Sequence, residues 1–193
     1  NDGVVTSDGY AITGRVGSAS NANELFVQRY DSLLTLKWTS TFHKSSGNYN
    51  DEGSQIKYVN DNIYIGGITN NSSASNIGLL VKYNGTGTLQ WNKLINVGSG
   101  TNYVSFSRLN VDSYNEDVYV LGFKTTSRII KYNAAGTKLW SKSIAIVGTD
   151  ATTINDVAND ATSAAAATKV CLAGQNNYTV GGFQHFERCV AYI

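Results

Sequence analysis

The residues able to do chemistry are few, and their spacing assigns none of them a reaction. The histidines, His43 and His185, are far apart, and neither belongs to a metal-binding spacing such as His-Glu-x-x-His. No Gly-x-Ser-x-Gly elbow and no phosphate loop occur. The doublets Gly66-Gly67 and Gly181-Gly182 are not followed by the helix that a dinucleotide site requires. Asp112, Glu116 and Asp117 bring enough oxygen together to suggest calcium, but they fit no EF-hand loop. They read as a solvated turn, as does Asn50-Asp51-Glu52-Gly53. The expectation is therefore no catalytic residue, no metal and no cofactor.

Cys171 and Cys189 are the only cysteines. They flank a predicted hairpin and read either as two buried thiols packing like small hydrophobes or as a facing cross-strand disulfide. The aromatic residues fall into two groups. Trp38, Trp91 and Trp140 recur in order, as do Tyr30, Tyr83, Tyr132 and Tyr192, and a recurring aromatic is expected to be packing. Tyr49, Tyr103, Tyr114 and Tyr178 lie outside that pattern, in expected loops, and are the candidates for surface recognition of a sugar or protein.

The elements that hold these residues repeat. One stretch reads Ile63-Tyr64-Ile65-Gly66-Gly67, a polar loop, Leu79-Leu80-Val81-Lys82-Tyr83, the turn Asn84-Gly85-Thr86-Gly87, then Leu89-Gln90-Trp91. The same order returns from Val118 to Trp140, earlier from Tyr10 to Trp38, and again from Val170 to Tyr192. Gly14, Gly67, Gly122 and Gly174 stand 53, 55 and 52 residues apart. Each copy holds short β-rich runs divided by Gly/Asn/Ser clusters: a lead strand such as Gln55 to Val59 or Phe106 to Val111, a strand ending at the glycine, one ending in a basic residue plus Tyr, and one centred on Trp. Four strands in a unit repeated in tandem predict an all-β chain of β-propeller blades. The copies run approximately 1–47, 48–98, 99–148 and 149–193. The Ala-rich run from Asn159 to Thr168 falls where a loop belongs.

This pattern resembles the bacterial and phage β-propeller repeats of the SBBP type, most closely at Ile63–Trp91 and Val118–Trp140. The first copy departs with Ala11 at the place of Tyr64 and Tyr119. The fourth departs with Cys171 there and with Ala191 before Tyr192. The resemblance implies a propeller in an extracellular or virion setting, and it carries no catalytic residues.

Composition narrows the function classes. The net charge of +1 gives no basic stripe for nucleic acid, and no apolar run is long enough to span a membrane as a helix. Charged residues make up 15% of the chain, and there is no Pro and no Met. Sequons at Asn70, Asn71, Asn84 and Asn177 matter only in a eukaryotic secretory setting. The fourth copy is expected to lack its Trp strand, which with the missing Met suggests part of a longer chain. The functional expectation is a non-enzymatic structural and interaction module with protein partners in a larger assembly, a phage tail or capsid-attached protein. A secreted or cell-surface module binding glycan or protein is the alternative. A lyase or glycosidase ranks third, because glycoside chemistry needs two facing carboxylates and the sequence shows no such pair.

Overall fold

A computed structural model describes residues 1–17, 23–44, 50–70, 76–96, 104–123, 126–144, 151–160, 169–180 and 183–192. Only the backbone is described over most of the last sheet. Every regular element among these residues is a strand.

Sheet one holds β1 (Asp2–Thr6), β2 (Gly9–Gly17), β3 (Asn23–Asp31) and β4 (Leu36–Phe42). Sheet two holds β5 (Asn50–Val59), β6 (Asn62–Asn70), β7 (Ile77–Asn84) and β8 (Leu89–Leu94). Sheet three holds β9 (Ser105–Val111), β10 (Val118–Phe123), β11 (Ser127–Tyr132) and β12 (Lys138–Ile144). Sheet four holds β13 (Ala151–Asp160), β14 (Lys169–Val180) and β15 (Phe183–Tyr192). Each is an antiparallel meander with strands in chain order, three sheets of four strands and a last one of three. The expected repeat of sheets is thus present.

The turn between the third and fourth strands shows why the sequence repeats. Asn84 N–H donates to the Thr88 carbonyl at 3.0 Å, and the Asn84 side-chain oxygen accepts from Thr88 N–H at 2.8 Å. Asn133 with Thr137 and Asp31 with Thr35 repeat both bonds. The fourth residue of the turn is left-handed in all three: Leu34 at φ 63°, Gly87 at 84° and Gly136 at 75°. Glycine suits that backbone because it has no Cβ; the first copy uses Leu.

Just after this turn the ladder bulges at the same place each time. Arg29 pairs with Trp38 but Tyr30 with Leu36; Lys82 pairs with Trp91 but Tyr83 with Leu89; Lys131 pairs with Trp140 but Tyr132 with Lys138. The extra residue before each Trp bends the fourth strand and twists it more strongly.

Contacts divide the chain into two compact units, Asn1–Phe106 and Ser107–Ile193. In the first, Ala11, Leu25, Val27 and Phe42 of sheet one meet Ile63, Ile65, Val81 and Tyr83 of sheet two. In the second, Tyr119, Leu121 and Ile129 of sheet three meet Val170 and Leu172 of sheet four. Counted back from the repeated glycine, Ala11 and Tyr119 are equivalent positions, as are Ile63/Ile65 and Val170/Leu172. The two cores thus use the same pair of sheet faces. A sheet buried on both faces needs apolar residues at successive positions, and β6 and β7 are nearly continuous in burial.

The strands and their register correct five sequence expectations. The lead strand of the second copy begins at Asn50, so Asn50-Asp51-Glu52-Gly53 is strand rather than solvated turn, and Asp51 is fully buried. Tyr178 lies inside β14 opposite His185, not in a loop. Cys171 pairs with Tyr192 and Cys189 with Gly174. That three-residue offset is roughly 10 Å along a strand, beyond disulfide reach, and Cys171 is a free thiol. The same register puts Tyr192 at the place of the basic residue, since Tyr64 and Tyr119 pair with Lys82 and Lys131. The β14–β15 ladder closes at Val180 with Phe183, so the two-residue connection sets a register one step from that of the other copies. Of the Ala-rich run, Asn159 and Asp160 belong to β13; the rest lies outside the described residues.

Candidate functional site

The repeated basic and aromatic residues form a stack within sheets two and three. Lys82 stands 4.8 Å over the ring of its cross-strand partner Tyr64, and Tyr64 packs on Trp91 with ring centres 6.2 Å apart. Lys131 stands 5.3 Å over Tyr119, which lies 6.3 Å from Trp140, and Lys131 also pairs with Asp117 at 2.7 Å. Burial disfavours the Lys131 charge, but the bonds to Asp117 and Tyr119 outweigh it and raise the pKa.

The first sheet solves the same problem differently. Ala11 takes the tyrosine position, so Arg29 has no tyrosine opposite it in its own sheet. Its guanidinium crosses to sheet two, 5.5 Å over Tyr58, with Nη1 donating to Asp61 at 3.1 Å and to the Gly85 carbonyl at 2.7 Å. Nη2 donates to Asp8 at 2.8 Å. Trp38 Nε1 donates to the same Gly85 carbonyl at 2.9 Å, and its ring lies 6.4 Å from Tyr83. Hydrogen bonds from Lys37 and Arg29 lower Asp8 to about 2. These aromatic and basic residues are engaged with one another within the sheets and, for Arg29 and Trp38, across to sheet two.

Two other places in the first unit are open to a partner. On the outer face of sheet one, Val5, Tyr10, Ile12, Tyr30 and Leu34 line an apolar hollow of about 500 Å³. Tyr10 and Ile12 are 43% and 36% exposed, whereas their equivalents Ile63/Ile65, Val118/Val120 and Val170/Leu172 are all buried. Tyr30 lines this hollow as well, its hydroxyl donating to Gln28 at 2.9 Å.

The second place is a polar cavity of about 260 Å³ walled by Arg15, Asn23, Asn50, Asp51, Asn70 and Asn76, with Glu52 and Ile68. In the sequence Asn50, Asp51 and Glu52 read only as a turn and Asn70 only as a sequon, while Arg15, Asn23, Ile68 and Asn76 carry no signal. The cue was the placement of Asn23, Asn50 and Asn70 at strand ends, where the register can line them up.

The sequence candidates do not converge. Tyr114 is 51% exposed in the β9–β10 turn. Tyr49 and Tyr103 lie outside the described residues, as does the side chain of Tyr178. Asp112 is buried and caps its own turn, accepting from Tyr114 N–H at 2.7 Å, while Asp117 holds Lys131. His43 Nδ1 sits 3.4 Å from Asp51. Among the described residues no group of three His, Cys, Asp or Glu side chains gathers. The chain matches no family model and no curated protein.

Proposed function

We propose that this chain is a non-enzymatic structural and interaction module of β-propeller type, serving in a phage virion as a tail or capsid-attached component. The observation that carries the reading is the open face at Tyr10 and Ile12. Its equivalents on the other three sheets are buried, and in sheets two and four each is covered by the preceding sheet in the same way. The occupant that fits it is another sheet of the same repeat, presenting the face that carries Ala11 or Tyr119. Such a sheet would continue the stack toward a closed propeller, which removes exposed sheet edges and faces. Burying a side chain such as Ile12 is worth roughly 1.5–3 kcal/mol, so covering the face is favourable.

The virion setting is supported by the residue pattern of the SBBP-type repeat and by the sparse charge. Fractionation of native source material on a density gradient tests it. The chain should band with particles, and an Ile12→Lys chain should remain at the top. Recovery of the unmodified chain only as free monomer would overturn the assignment.

A secreted glycan-binding module is the second reading, favoured by the asparagine-walled cavity. Its earlier candidates, Tyr49, Tyr103, Tyr114 and Tyr178, stand or fall on whether their Ala variants lose binding.

A further inference from the structure

We infer that the asparagine-walled cavity of the first unit is a binding site for a small polyhydroxylated ligand, a single sugar ring by size and chemistry. This goes beyond the assembly reading and does not depend on it. At about 260 Å³ the cavity is smaller than the ~300–1,000 Å³ of sites for drug-sized molecules. It is also several times the ~30 Å³ share of one water.

Its wall is built for hydroxyl groups. Asn23 Nδ2 donates to Asn50 Oδ1 at 2.9 Å, Asn50 Nδ2 to Asn70 Oδ1 at 3.2 Å, and Asn70 Nδ2 to Asn76 Oδ1 at 2.9 Å. This relay fixes the amides in place. A primary amide has two N–H donors and two acceptor lone pairs, so each relay member holds more hydrogen-bonding capacity than the relay consumes. A sugar hydroxyl both donates and accepts, and amides meet both demands. Ile68 adds an apolar element to the wall.

A second observation points to a missing donor. Asp51 in the cavity wall is 0% exposed. Its Oδ2 accepts from Lys44 N–H at 2.9 Å, but its Oδ1 has no partner. Thr69, its cross-strand neighbour, is also fully buried with an unpartnered hydroxyl. An unpaired buried acceptor costs about 1–3 kcal/mol, and more when charged, so two side by side need explaining. A turn of the enclosed Asp51 carboxylate toward the cavity would let a ligand hydroxyl donate to it and supply the missing bond.

The alternatives fit less well. Arg15 stands in the wall against a metal cation, and Glu52 is engaged by Arg15 at 3.5 Å and by the Asn1 side chain. The Asp51 carboxylate opposes an anion.

The test uses the full chain with ¹⁵N-labelled asparagine. Its side-chain amides are titrated separately with methyl α-glucoside, methyl α-galactoside, methyl α-mannoside, N-acetylglucosamine and calcium chloride. One sugar should shift the Asn50 and Asn70 amides saturably, with a Kd in the millimolar range expected of so small a contact. Asp51→Asn should weaken that Kd about tenfold or more, as loss of a charged hydrogen-bond partner does, with the backbone spectrum unchanged. Thr69→Val, an uncharged change at the neighbouring position, should weaken it severalfold and serves if Asp51→Asn does not fold. The inference is overturned if no sugar shifts these amides at about 50 mM, if binding variants keep the unmodified Kd, or if only calcium produces the shift.

Discussion

Arg29 Nη1 lies 3.1 Å from Asp61 Oδ1, so the third strand of sheet one is tied to the β5–β6 turn of sheet two. The guanidinium is buried while both of its acidic partners reach solvent, and it also satisfies the Gly85 carbonyl. Replacing Arg29 with Met leaves the Gly85 carbonyl to Trp38 Nε1 alone and removes the cation over Tyr58. The acids stay hydrated, so the loss should fall below the 3–5 kcal/mol of a wholly buried pair, at about 2 kcal/mol. Arg29→Lys should recover little, because one ammonium cannot fork between Asp8 and Asp61. Urea unfolding measures both; a change under about 0.5 kcal/mol in Arg29→Met, the size of an ordinary surface substitution, would contradict the assignment.

Ala11 tests why the first copy departs from the repeat. It is fully buried, and the space that Tyr64 and Tyr119 occupy in their sheets is closed in sheet one by the packing against sheet two. Restoring the repeat with Ala11→Tyr should therefore destabilise by about 1–3 kcal/mol through overpacking. An unchanged midpoint would show that the tyrosine place is open.

Leu34 carries a left-handed backbone at φ 63° where the other turns have glycine. Such strain costs about 1–3 kcal/mol, against 0.5–1 kcal/mol for the added freedom of glycine in the unfolded chain. Leu34→Gly should thus stabilise by about 1 kcal/mol, read as a rise in Tm. Gly87→Ala should do the reverse, since its φ is 84° and the new methyl would meet the Trp38 ring at 2.7 Å.

Acid should weaken sheet one, where Asp8, Arg29 and Lys37 all lie. Hydrogen bonds from Lys37 and Arg29 hold Asp8 at about 2, below its ordinary 3.8. The unfolded chain takes up this proton at the higher pH, so the contribution is whole above about pH 4 and fades as pH falls toward 2. Unfolding followed from pH 5 to 2 should show a loss that Asp8→Asn reduces. An identical acid slope in Asp8→Asn would contradict it.

Much of the fold was readable because its causes are local. The turn at Asn84 needs a side-chain oxygen at its first residue and a left-handed fourth residue, and those demands print the same spacing in the first three copies, with Asp31 in the first. Lys82 beside Tyr64 was visible as a repeated pair of residue types, though not as a stacked one. What stayed hidden depends on partners distant in sequence. Asp51 reads as solvated by its charge, yet Lys44 N–H and the neighbouring sheet enclose it. Cys171 and Cys189 seemed to face each other until the β14–β15 register placed them three residues out of step. The asparagines of the polar cavity come from four separate segments: the β5–β6 register pairs Asn50 with Asn70, and the stacking of two sheets adds Asn23.

The central claim is that the open face of sheet one is the seat of a further sheet. Oxidative footprinting of the protein in its native assembly compares Tyr10 on that face with Tyr114 in an exposed turn, two residues of similar exposure in the single chain. The account predicts that Tyr10 is protected while Tyr114 reacts, and that Ile12→Lys restores Tyr10 labelling. Equal labelling of both tyrosines in the unmodified assembly would contradict it.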